Sequence, residues 1–469
     1  MALRFLDTLT RTKRDFEPIE PGKVGLYTCG PTVYNYAHLG NFRAYVFEDL
    51  LRRTLKYKGY AVTQVMNLTD VEDKTIRASR EAGIPLGEHT AKYIDAFFED
   101  LDALNIERAE HYPRATEFVG EMIEIVKGLV EKGVAYESDD GSVYFNIAKF
   151  PTYGELAHIN PDDLKAGARV AQDEYDKESA ADFALWKAWD ANDGDVKWES
   201  PWGPGRPGWH IECSAMSMKL LGPHFDIHTG GVDNIFPHHQ NEIAQSEAYT
   251  GRTFVNSWLH NEHLIVEGRK MAKSFGNFYT LRDLLDKGYS GRQIRWLLLT
   301  THYRARLNFT FAGLDAAKAS LDRIDDCVLK LREATSHGAP GEGEAVAALI
   351  EHARAQFEEG LDDDLNIAVS VAALFDFIRD VNKLLAEGAV TANEAENALA
   401  FLDSLDAVLG VIHFGKAGEI PAEIVKMAME RQNAREAKDF ARADALRDEI
   451  AARGWTVEDK PDGFRLKKA

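Results

Sequence analysis

Residues 24–68, VGLYTCGPTVYNYAHLGNFRAYVFEDLLRRTLKYKGYAVTQVMNL, predict the fold. The apolar run at residues 24–29 ends at a Gly-Pro pair and is typical of a buried strand. After Gly40, apolar residues recur at i, i+4 spacing in two adjacent rows, which predicts a helix with a broad buried face that Gly59 ends. Residues 61–68 predict a second strand. Strand, helix and strand together predict a β-α-β unit and hence a parallel sheet.

Patterns farther along the chain extend this prediction. Residues 134–147 are typical of a hairpin, and residues 150–208 form a polar stretch that predicts an insertion rather than core sheet. A strand at 225–228 and a helix at 236–249 continue the first fold, and nearly everything from Leu281 onward is helical in pattern. We therefore predict an α/β protein, with a Rossmann-like parallel-sheet domain that carries an inserted segment, then an α-helical bundle and a small C-terminal domain.

Six segments follow from these patterns. In chain order we expect the first half of the parallel-sheet domain (1–133), an inserted connective segment (134–208), the second half of the same domain (209–280), a linker region (281–313), a helical bundle (314–415) and a small C-terminal domain (421–469).

Composition restricts the class of protein. The 469 residues carry a net charge of −21, which argues against nucleic-acid binding over the whole surface. Residues 423–469, however, have a balance of +1, which permits a local RNA contact. No apolar run approaches the roughly 18 residues that cross a bilayer, and the basic N-terminus lacks an apolar signal core. Three cysteines indicate a reducing compartment, so we expect a cytoplasmic protein without a membrane partner.

Four side chains are candidate metal ligands. His238 and Glu242 are four residues apart, so on a helix they share one face, and Cys213 and Cys29 would come from other segments. Thiolate, imidazole and carboxylate are ligand types that zinc accepts. The alternative is a buried apolar Cys and a hydrogen-bonded core His, and without a CxxC pair the residues alone leave both interpretations open. The remaining cysteine, Cys327, lies in a helical pattern and is expected to be packed.

Residues 29–41, CGPTVYNYAHLGN, place small residues and an imidazole at a predicted helix N-terminus. A bound phosphate is stabilised most at a helix N-terminus, because unpaired backbone N–H groups and the helix dipole both point at it. His38 can add a donor, and Gly40 lets the backbone come close. A structural helix cap is the alternative explanation.

A second candidate phosphate element is EGRKMAKSFGN at residues 267–277. Its two lysines, Lys270 and Lys273, are framed by Gly268 and Gly276 and suit the neutralisation of a pyrophosphate leaving group. A solvated surface turn is the alternative. Together with the first element and a parallel sheet, the loop indicates a nucleotide site.

Motifs over almost the whole length resemble the cysteinyl-tRNA synthetases of class I. They are CGPTVYNYAHLGNFR, NLTDVEDK, GRPGWHIECSAMS, HFDIHTGGVDNIFPHHQNEIAQS, KMAKSFGN, DDDLN and AKDFARADALRDEI. The resemblance implies that L-cysteine is activated with ATP and Mg²⁺ to cysteinyl-adenylate and then transferred to the 3′ end of tRNA(Cys). It further implies one zinc ion that holds the substrate thiol, helical and C-terminal domains that bind tRNA, and a monomer.

The resemblance also implies roles for individual residues. The zinc ion would be held by Cys29, Cys213, His238 and Glu242. The first ATP motif would contain His38, Gly40 and Asn41, and the second Lys270 and Lys273. The cysteine pocket would be walled by Thr69, Trp209 and His228, and Asp233 would hold either the adenosine or the substrate ammonium. Four protein ligands are one more than an open zinc site usually has, so the metal becomes five-coordinate or Glu242 loosens when cysteine enters.

Three positions depart from the family pattern. Asn41 replaces the last His of the first ATP motif, Ala272 replaces a Ser of the second, and Gln240 stands where Glu is common. None is a proposed zinc ligand or a phosphate-binding lysine. Other functions that fit parts of the pattern are a ligase that joins cysteine to an amino sugar, a non-catalytic zinc and RNA-binding protein, and a zinc hydrolase.

Overall fold

The computed structural model describes residues 2–159, 182–337, 343–412, 422–460 and 463–468. They form two compact units, Met1–Ile412 and His413–Ala469. The first part of the larger unit contains β1 (Arg4–Asp7), β2 (Thr12–Asp15), β3 (Lys23–Thr28), α1 (Leu39–Tyr57), β4 (Ala61–Met66), α2 (Asp73–Ala82), α3 (Leu86–Ala103), α4 (Val119–Glu131), β5 (Ala135–Glu137), β6 (Val143–Phe145), β7 (Phe183–Ala188), β8 (Gly205–Pro207), α5 (Trp209–Leu221), β9 (Phe225–Gly231), α6 (Gln240–Thr250) and β10 (Val255–Asn261).

A four-stranded parallel sheet in the order β10-β9-β3-β4 is the centre of this unit. Strand β3 pairs with both β4 and β9, so the predicted β-α-β unit is confirmed. Leu26, Tyr27 and Thr28 on β3 are completely buried, because helices cover the sheet as they do other parallel sheets. The carboxyl ends of β3, β9 and β10 lie along one edge.

The inserted segment carries a separate antiparallel sheet in the order β5-β6-β7-β8. The predicted hairpin is present as β5 and β6. Strand β7 was missed, because FALWKA is a short apolar run inside a polar stretch. Its Trp186 is fully buried, so local packing forms a strand that composition did not predict. Residues 160–181 of the insertion lie outside the described residues.

The remainder of the larger unit is helical, as predicted, apart from a three-stranded sheet of order β12-β11-β13. Its elements are β11 (Leu264–Val266), β12 (Arg269–Lys270), α7 (Leu281–Asp286), α8 (Gly291–Leu299), β13 (Leu307–Phe309), α9 (Phe311–His337), α10 (Ala345–Asp362), α11 (Ile367–Ala386) and α12 (Ala392–Leu409). Helices α9 to α12 pack on one another as a bundle. The fold class is thus confirmed, whereas the segment boundaries stay predictions.

The smaller unit contains two helices and a hairpin: α13 (Ala422–Glu436), α14 (Phe440–Ala452), β14 (Trp455–Lys460) and β15 (Gly463–Lys468). Its core is a small cluster that includes Ile424, Leu446 and Ile450. Within the described parts of both units, none of the helices has the length and apolarity that crossing a membrane demands.

Candidate metal centre and nucleotide site

The four predicted metal ligands come together at the carboxyl edge of the parallel sheet. Cys29 directly follows β3, and Cys213 lies in α5. His238 lies just before α6, and Glu242 lies in its first turn. One ligand atom from each of the four lies within 4.8 Å of those of the others. Side chains that are far apart in the sequence therefore converge where α/β sheets bind their ligands.

The segment before α6 differs from the prediction. Helix was expected from Phe236, but this residue has extended dihedral angles (φ −136°, ψ 131°) inside a π-helical turn at Ile235–His239, and the regular helix begins at Gln240. Local π-helical geometry often occurs at functional sites. His238 and Glu242 still share a face, since His238 Nε2 lies 3.1 Å from Glu242 Oε1.

The donor set fits a zinc ion. Glu242 is completely buried, and its Oε1 accepts no hydrogen bond of good geometry, although His238 Nε2 lies 3.1 Å away. Burial raises the pKa of this carboxyl to about 7, and the nearby ring of His238 opposes that rise only in part. Hydrogen bonding to Cys29, together with burial, raises the pKa of the Cys213 thiol well above its usual range. A divalent cation among these groups would favour the thiolate and carboxylate forms, which are those that ligate zinc.

His228 defines the hydrogen bonding on one side of Glu242. Its Nδ1 lies 3.2 Å from the carbonyl oxygen of Thr229, and its Nε2 lies 3.0 Å from Glu242 Oε2. Burial lowers the pKa of His228 to about 3, so the ring is neutral. Only a protonated Nδ1 can pair with a carbonyl, which leaves Nε2 as an acceptor. Without a cation, Glu242 must therefore carry the proton of this hydrogen bond.

A second group of possible ligands overlaps the first. It comprises Cys29, His228, His239 and Glu242, again within 4.8 Å of one another. His239 Nε2 lies 3.2 Å from Cys29 Sγ, and its Nδ1 lies 2.7 Å from His260 Nε2. The second group has one thiol where the first has two.

Three buried histidines of this site were missed by the sequence analysis. His210 Nδ1 lies 2.9 Å from His238 Nδ1, while His239 and His260 pair as described. The adjacent histidines of the PHHQNE motif were a signal for His239. His260 lies near the carboxyl end of the parallel strand β10, where functional residues are common, whereas nothing in the sequence marked His210.

The predicted pocket residues border the metal centre. Trp209 stacks on the ring of His238, with centroids 4.2 Å apart. Thr69 Oγ1 accepts a hydrogen bond from Asn67 Nδ2, and Asn67 Oδ1 accepts one from the backbone N–H of Gly30. Trp209 and His228 thus lie directly beside the candidate ligands, and Thr69 is linked to the segment that carries Cys29.

Asp233 lies apart from this buried cluster. It is an exposed residue of the short 3-10 turn Val232–Asn234, which follows β9. The strand predicted at 225–228 is longer in the structure, where β9 continues through Gly231. The carboxylate is therefore presented at the rim of the site, above the carboxyl end of β9.

The first predicted phosphate element forms the N-terminus of α1. His38 Nδ1 accepts a hydrogen bond from the backbone N–H of Asn41, and Asn41 Oδ1 accepts one from the backbone N–H of His38. This reciprocal pair is a capping box. Because Nδ1 is an acceptor, neutral His38 carries its proton on Nε2. A Cβ at Gly40 would lie 3.0 Å from the His38 ring, so glycine allows this arrangement.

The second phosphate element lies against the first. The backbone N–H of Leu39 donates to the carbonyl of Tyr279, and the rings of His38 and Phe278 are 5.3 Å apart. Lys270 is an exposed residue of β12, and Lys273 begins the 3-10 turn Lys273–Phe275. The two motifs, more than two hundred residues apart in sequence, are thus brought to one place.

Asn277 holds the second loop across the position of Ala272. Its Oδ1 accepts from the backbone N–H of Ala272, and its Nδ2 donates to the carbonyl of Lys270. Both bonds use the backbone of the loop. The loop's fold therefore does not depend on a hydroxyl at Ala272.

Gln240 also has a structural role. Its Oε1 accepts a hydrogen bond from the backbone N–H of Leu156, in the inserted segment. The side chain is completely buried. Gln240 therefore joins the start of α6 to the insertion rather than to the metal centre.

Three family models match the chain. The model described as "tRNA synthetases class I (C) catalytic domain" matches residues 15–319. The DALR domain matches residues 356–413. The model described as "Cysteinyl-tRNA ligase anticodon binding domain" matches residues 417–465.

Curated relatives match over the full length. The chain is 53% identical to a cysteine–tRNA ligase of Protochlamydia amoebophila, over 99% of this chain and 98% of the relative. It is 48% identical to that of Chlamydia muridarum, over the whole of both chains. Among solved structures, methionyl-tRNA synthetase of Mycobacterium tuberculosis in complex with methionyl-adenylate superimposes with a TM-score of 0.60 at 16% identity, covering 83% of this chain and 89% of that one. That likeness shows a shared fold.

Proposed function

Since the chain belongs to the family of cysteine–tRNA ligases, we propose that it activates L-cysteine with ATP and passes the cysteinyl group to the 3′ end of tRNA(Cys). The observation that supports this proposal most is the convergence of Cys29, Cys213, His238 and Glu242 beside two paired phosphate elements. A site for a soft ligand and a site for a polyphosphate thus lie at one edge of one sheet.

Cys29, Cys213, His238 and Glu242 would hold one zinc ion. This group is favoured over the one with His228 and His239 because it offers two thiolates, which are soft ligands that suit zinc. When bound, zinc supplies a Lewis acid that takes the thiol of cysteine as thiolate. His228 remains outside the ligand set; beside an ionised Glu242 it would hold the carboxylate only as the tautomer that carries its proton on Nε2, which lies 3.0 Å from Glu242 Oε2.

Selection of the substrate is the reason for such a site. Serine has an oxygen in place of the sulfur of cysteine, and a site that relies on shape supplies only about 1–3 kcal/mol for so small a difference. A serine hydroxyl has a much higher pKa than a thiol and is a poor ligand for a soft ion. Trp209 and Thr69 wall the pocket, and they would position the rest of the amino acid.

The chemical step needs alignment and charge neutralisation rather than a general base. The carboxylate of cysteine is already ionised at neutral pH and attacks the α-phosphorus of ATP. His38, with its proton on Nε2, would donate to a phosphate oxygen, while Lys270 and Lys273 would neutralise the departing pyrophosphate together with the Mg²⁺ of the substrate. Asp233 would bind the adenosine or the ammonium group of cysteine.

The helical bundle (314–415) and the C-terminal domain (421–469) would bind the tRNA, and residues 281–313 would connect them to the catalytic part. The matched anticodon-binding model supports the role of the C-terminal segment. We further propose that the protein acts as a monomer in the cytoplasm, where its three cysteines stay reduced.

Cys213→Ser tests the ligand assignment. Oxygen is a poor replacement for thiolate, so we expect zinc content and cysteine-dependent pyrophosphate exchange to fall together, each by about tenfold or more. Zinc is measured by metal analysis, and Cys327→Ser is the matched control because Cys327 is buried in α9 outside the site. Wild-type zinc content in Cys213→Ser would show that the ligand assignment is wrong. Wild-type protein that forms no cysteinyl-tRNA would refute the function itself.

A further inference from the structure

A groove lies between the segment that precedes His38 and helices α2 and α3. Its volume is about 480 Å³, and its walls include Tyr34, Lys74, Arg77 and Tyr93. Neither the metal centre nor the two phosphate elements use these side chains. This volume lies in the range of sites that hold a small molecule or part of a larger one.

Aromatic rings are the first feature of this groove. Tyr34 is 37% exposed, so part of its ring is accessible to a ligand. The rings of Tyr36 and Tyr93 meet edge to face at 5.3 Å, and the ring of His89 lies 5.0 Å from that of Tyr93. His89 Nε2 also lies 3.2 Å from the carbonyl oxygen of Tyr34, so α3 holds the segment in place. The rings are therefore positioned by the fold.

Cations accompany the rings. Lys74 Nζ lies 6.0 Å from the centre of the Tyr34 ring, and Lys92 Nζ lies 5.2 Å from that of Tyr93. Arg77 is exposed and lines the same groove. Among the described residues, none of these three side chains is held in an ion pair. Glu81 is the acidic residue of the wall, so the groove is locally cationic on a chain of charge −21.

The groove is close to the chemistry. Tyr34 is five residues after Cys29 and four before His38, and five residues of chain span at most about 18 Å. A ligand that lies along the groove can thus extend one end toward the site where cysteinyl-adenylate forms.

We propose that this groove binds the single-stranded 3′ end of the RNA substrate, with bases on Tyr34 and Tyr93 and phosphates on Lys74 and Arg77. The exposed ring of Tyr34 and the half-buried ring of Tyr93 lie beside unpaired cations. This combination is typical of single-strand recognition, because every base has a stacking face and every nucleotide a phosphate. An acidic peptide would use the cations but not the rings. The inference rests on the proposed function, which supplies an RNA whose terminal ribose must reach the adenylate.

The experiment compares two variants with wild type. One carries Lys74→Ala and Arg77→Ala together, and the other carries Tyr34→Ala alone. Cysteine-dependent pyrophosphate exchange contains no RNA, so we expect it to stay within about twofold of wild type. The kcat/KM for charging tRNA(Cys) should fall about tenfold or more in each variant. The slope of log affinity for tRNA against log salt should become shallower by up to about two in the double variant. Lys127→Ala is the matched control, because Lys127 is a partly exposed lysine of α4 that pairs with Glu124 outside the groove.

A truncated RNA makes the test specific. Binding of tRNA(Cys) that lacks its 3′ single-stranded nucleotides should be equal for wild type and variants. If the variants bound the truncated RNA more weakly than wild type, by the same factor as for the full tRNA, the groove would contact another part of the tRNA. Charging at the wild-type rate by both variants would overturn the proposal, as would a loss of pyrophosphate exchange equal to the loss of charging. Displacement of the RNA by AMP at concentrations similar to that of the RNA would also overturn it. Failure of wild type to charge tRNA would instead refute the proposed function.

Discussion

Glu48 is a buried carboxyl that no motif indicated. It lies in α1, is completely buried, and accepts a hydrogen bond from Thr229 Oγ1 at 2.9 Å through its Oε1. The carbonyl of the same Thr229 accepts from the backbone N–H of Cys29 and lies beside His228 Nδ1. Glu48 therefore supports the residue that connects β3 to β9 directly below the candidate metal centre.

Replacement of Glu48 by Gln should change the pH dependence of stability. Burial raises the pKa of Glu48 to about 8 from an ordinary 4.5, so the folded state keeps a proton that the unfolded state releases. Wild-type stability therefore falls as pH rises from about 4.5 to 8, by up to about 5 kcal/mol at 1.36 kcal/mol per pKa unit. Glu48→Gln keeps the acceptor oxygen without this loss, so its urea midpoint should rise relative to wild type as pH increases.

The control for this prediction is Glu124→Gln, which changes an exposed glutamate of α4. We expect its midpoint to follow that of wild type from pH 5 to pH 8. A constant difference between Glu48→Gln and wild type over that range would show that Glu48 is already ionised in the folded protein.

Residues with a recognisable ligand pattern could be predicted from the sequence, whereas those defined only by their surroundings could not. The pair His238 and Glu242 had helical spacing, and Cys29 ended a predicted strand. Glu48 lies in the middle of a helical pattern, and only the fold shows that it faces β9. His210 likewise becomes part of the site only because α5 packs on α6.

At the scale of elements, the N-terminus of α1 explains why Asn41 is compatible with a nucleotide site. Its side chain completes the capping box with His38 and so orients the ring. The helix then presents its remaining N–H groups and its dipole toward the loop that carries Lys270. The structure shows the cap, and we propose that the same turn also binds phosphate, so the two alternatives from the sequence are compatible.

Asn41→Ala should weaken both the helix cap and the proposed phosphate site. Loss of the acceptor for the His38 N–H removes half of the capping box, which costs about 1 kcal/mol, and it releases the His38 ring, so adenylate formation slows. Asn41→Asp keeps an acceptor and should keep the stability, but its charge would repel ATP and raise the KM for ATP. Thermal midpoints and pyrophosphate exchange separate the two effects. An alanine variant with wild-type stability and rate would show that the box does not orient His38.

Helices and strands could be predicted where the apolar periodicity extends over many residues. The nineteen residues of α1 show two apolar rows, and the helix forms where the rows predict it. Strand β7 is short and lies in a polar context, so it forms only because β6 and β8 flank it. The start of α6 at Gln240 depends on the π-helical turn before it, and no periodicity indicates such a turn.

At the scale of the molecule, we propose that the two units contribute different parts of the reaction. The larger unit contains the parallel sheet, the candidate ligands and both phosphate elements, so every group proposed for cysteine activation lies before Ile412. The smaller unit has a core of its own around Ile424, Leu446 and Ile450. The sequence indicated this division through the break in composition near residue 420 and the less acidic charge that follows it.

A chain that ends at Ile412 should therefore activate cysteine but charge tRNA poorly. We expect one zinc per chain and pyrophosphate exchange within about twofold of wild type, because the sheet and its helices keep their own core. The kcat/KM for tRNA charging should fall on the order of tenfold or more, since phosphate contacts made by the removed unit are lost. Charging of a short RNA that contains only the acceptor stem is the control, and it should be similar in both proteins. Loss of pyrophosphate exchange in the shortened chain would mean that the smaller unit is needed to build the active site, because the larger unit retains every residue assigned to that step.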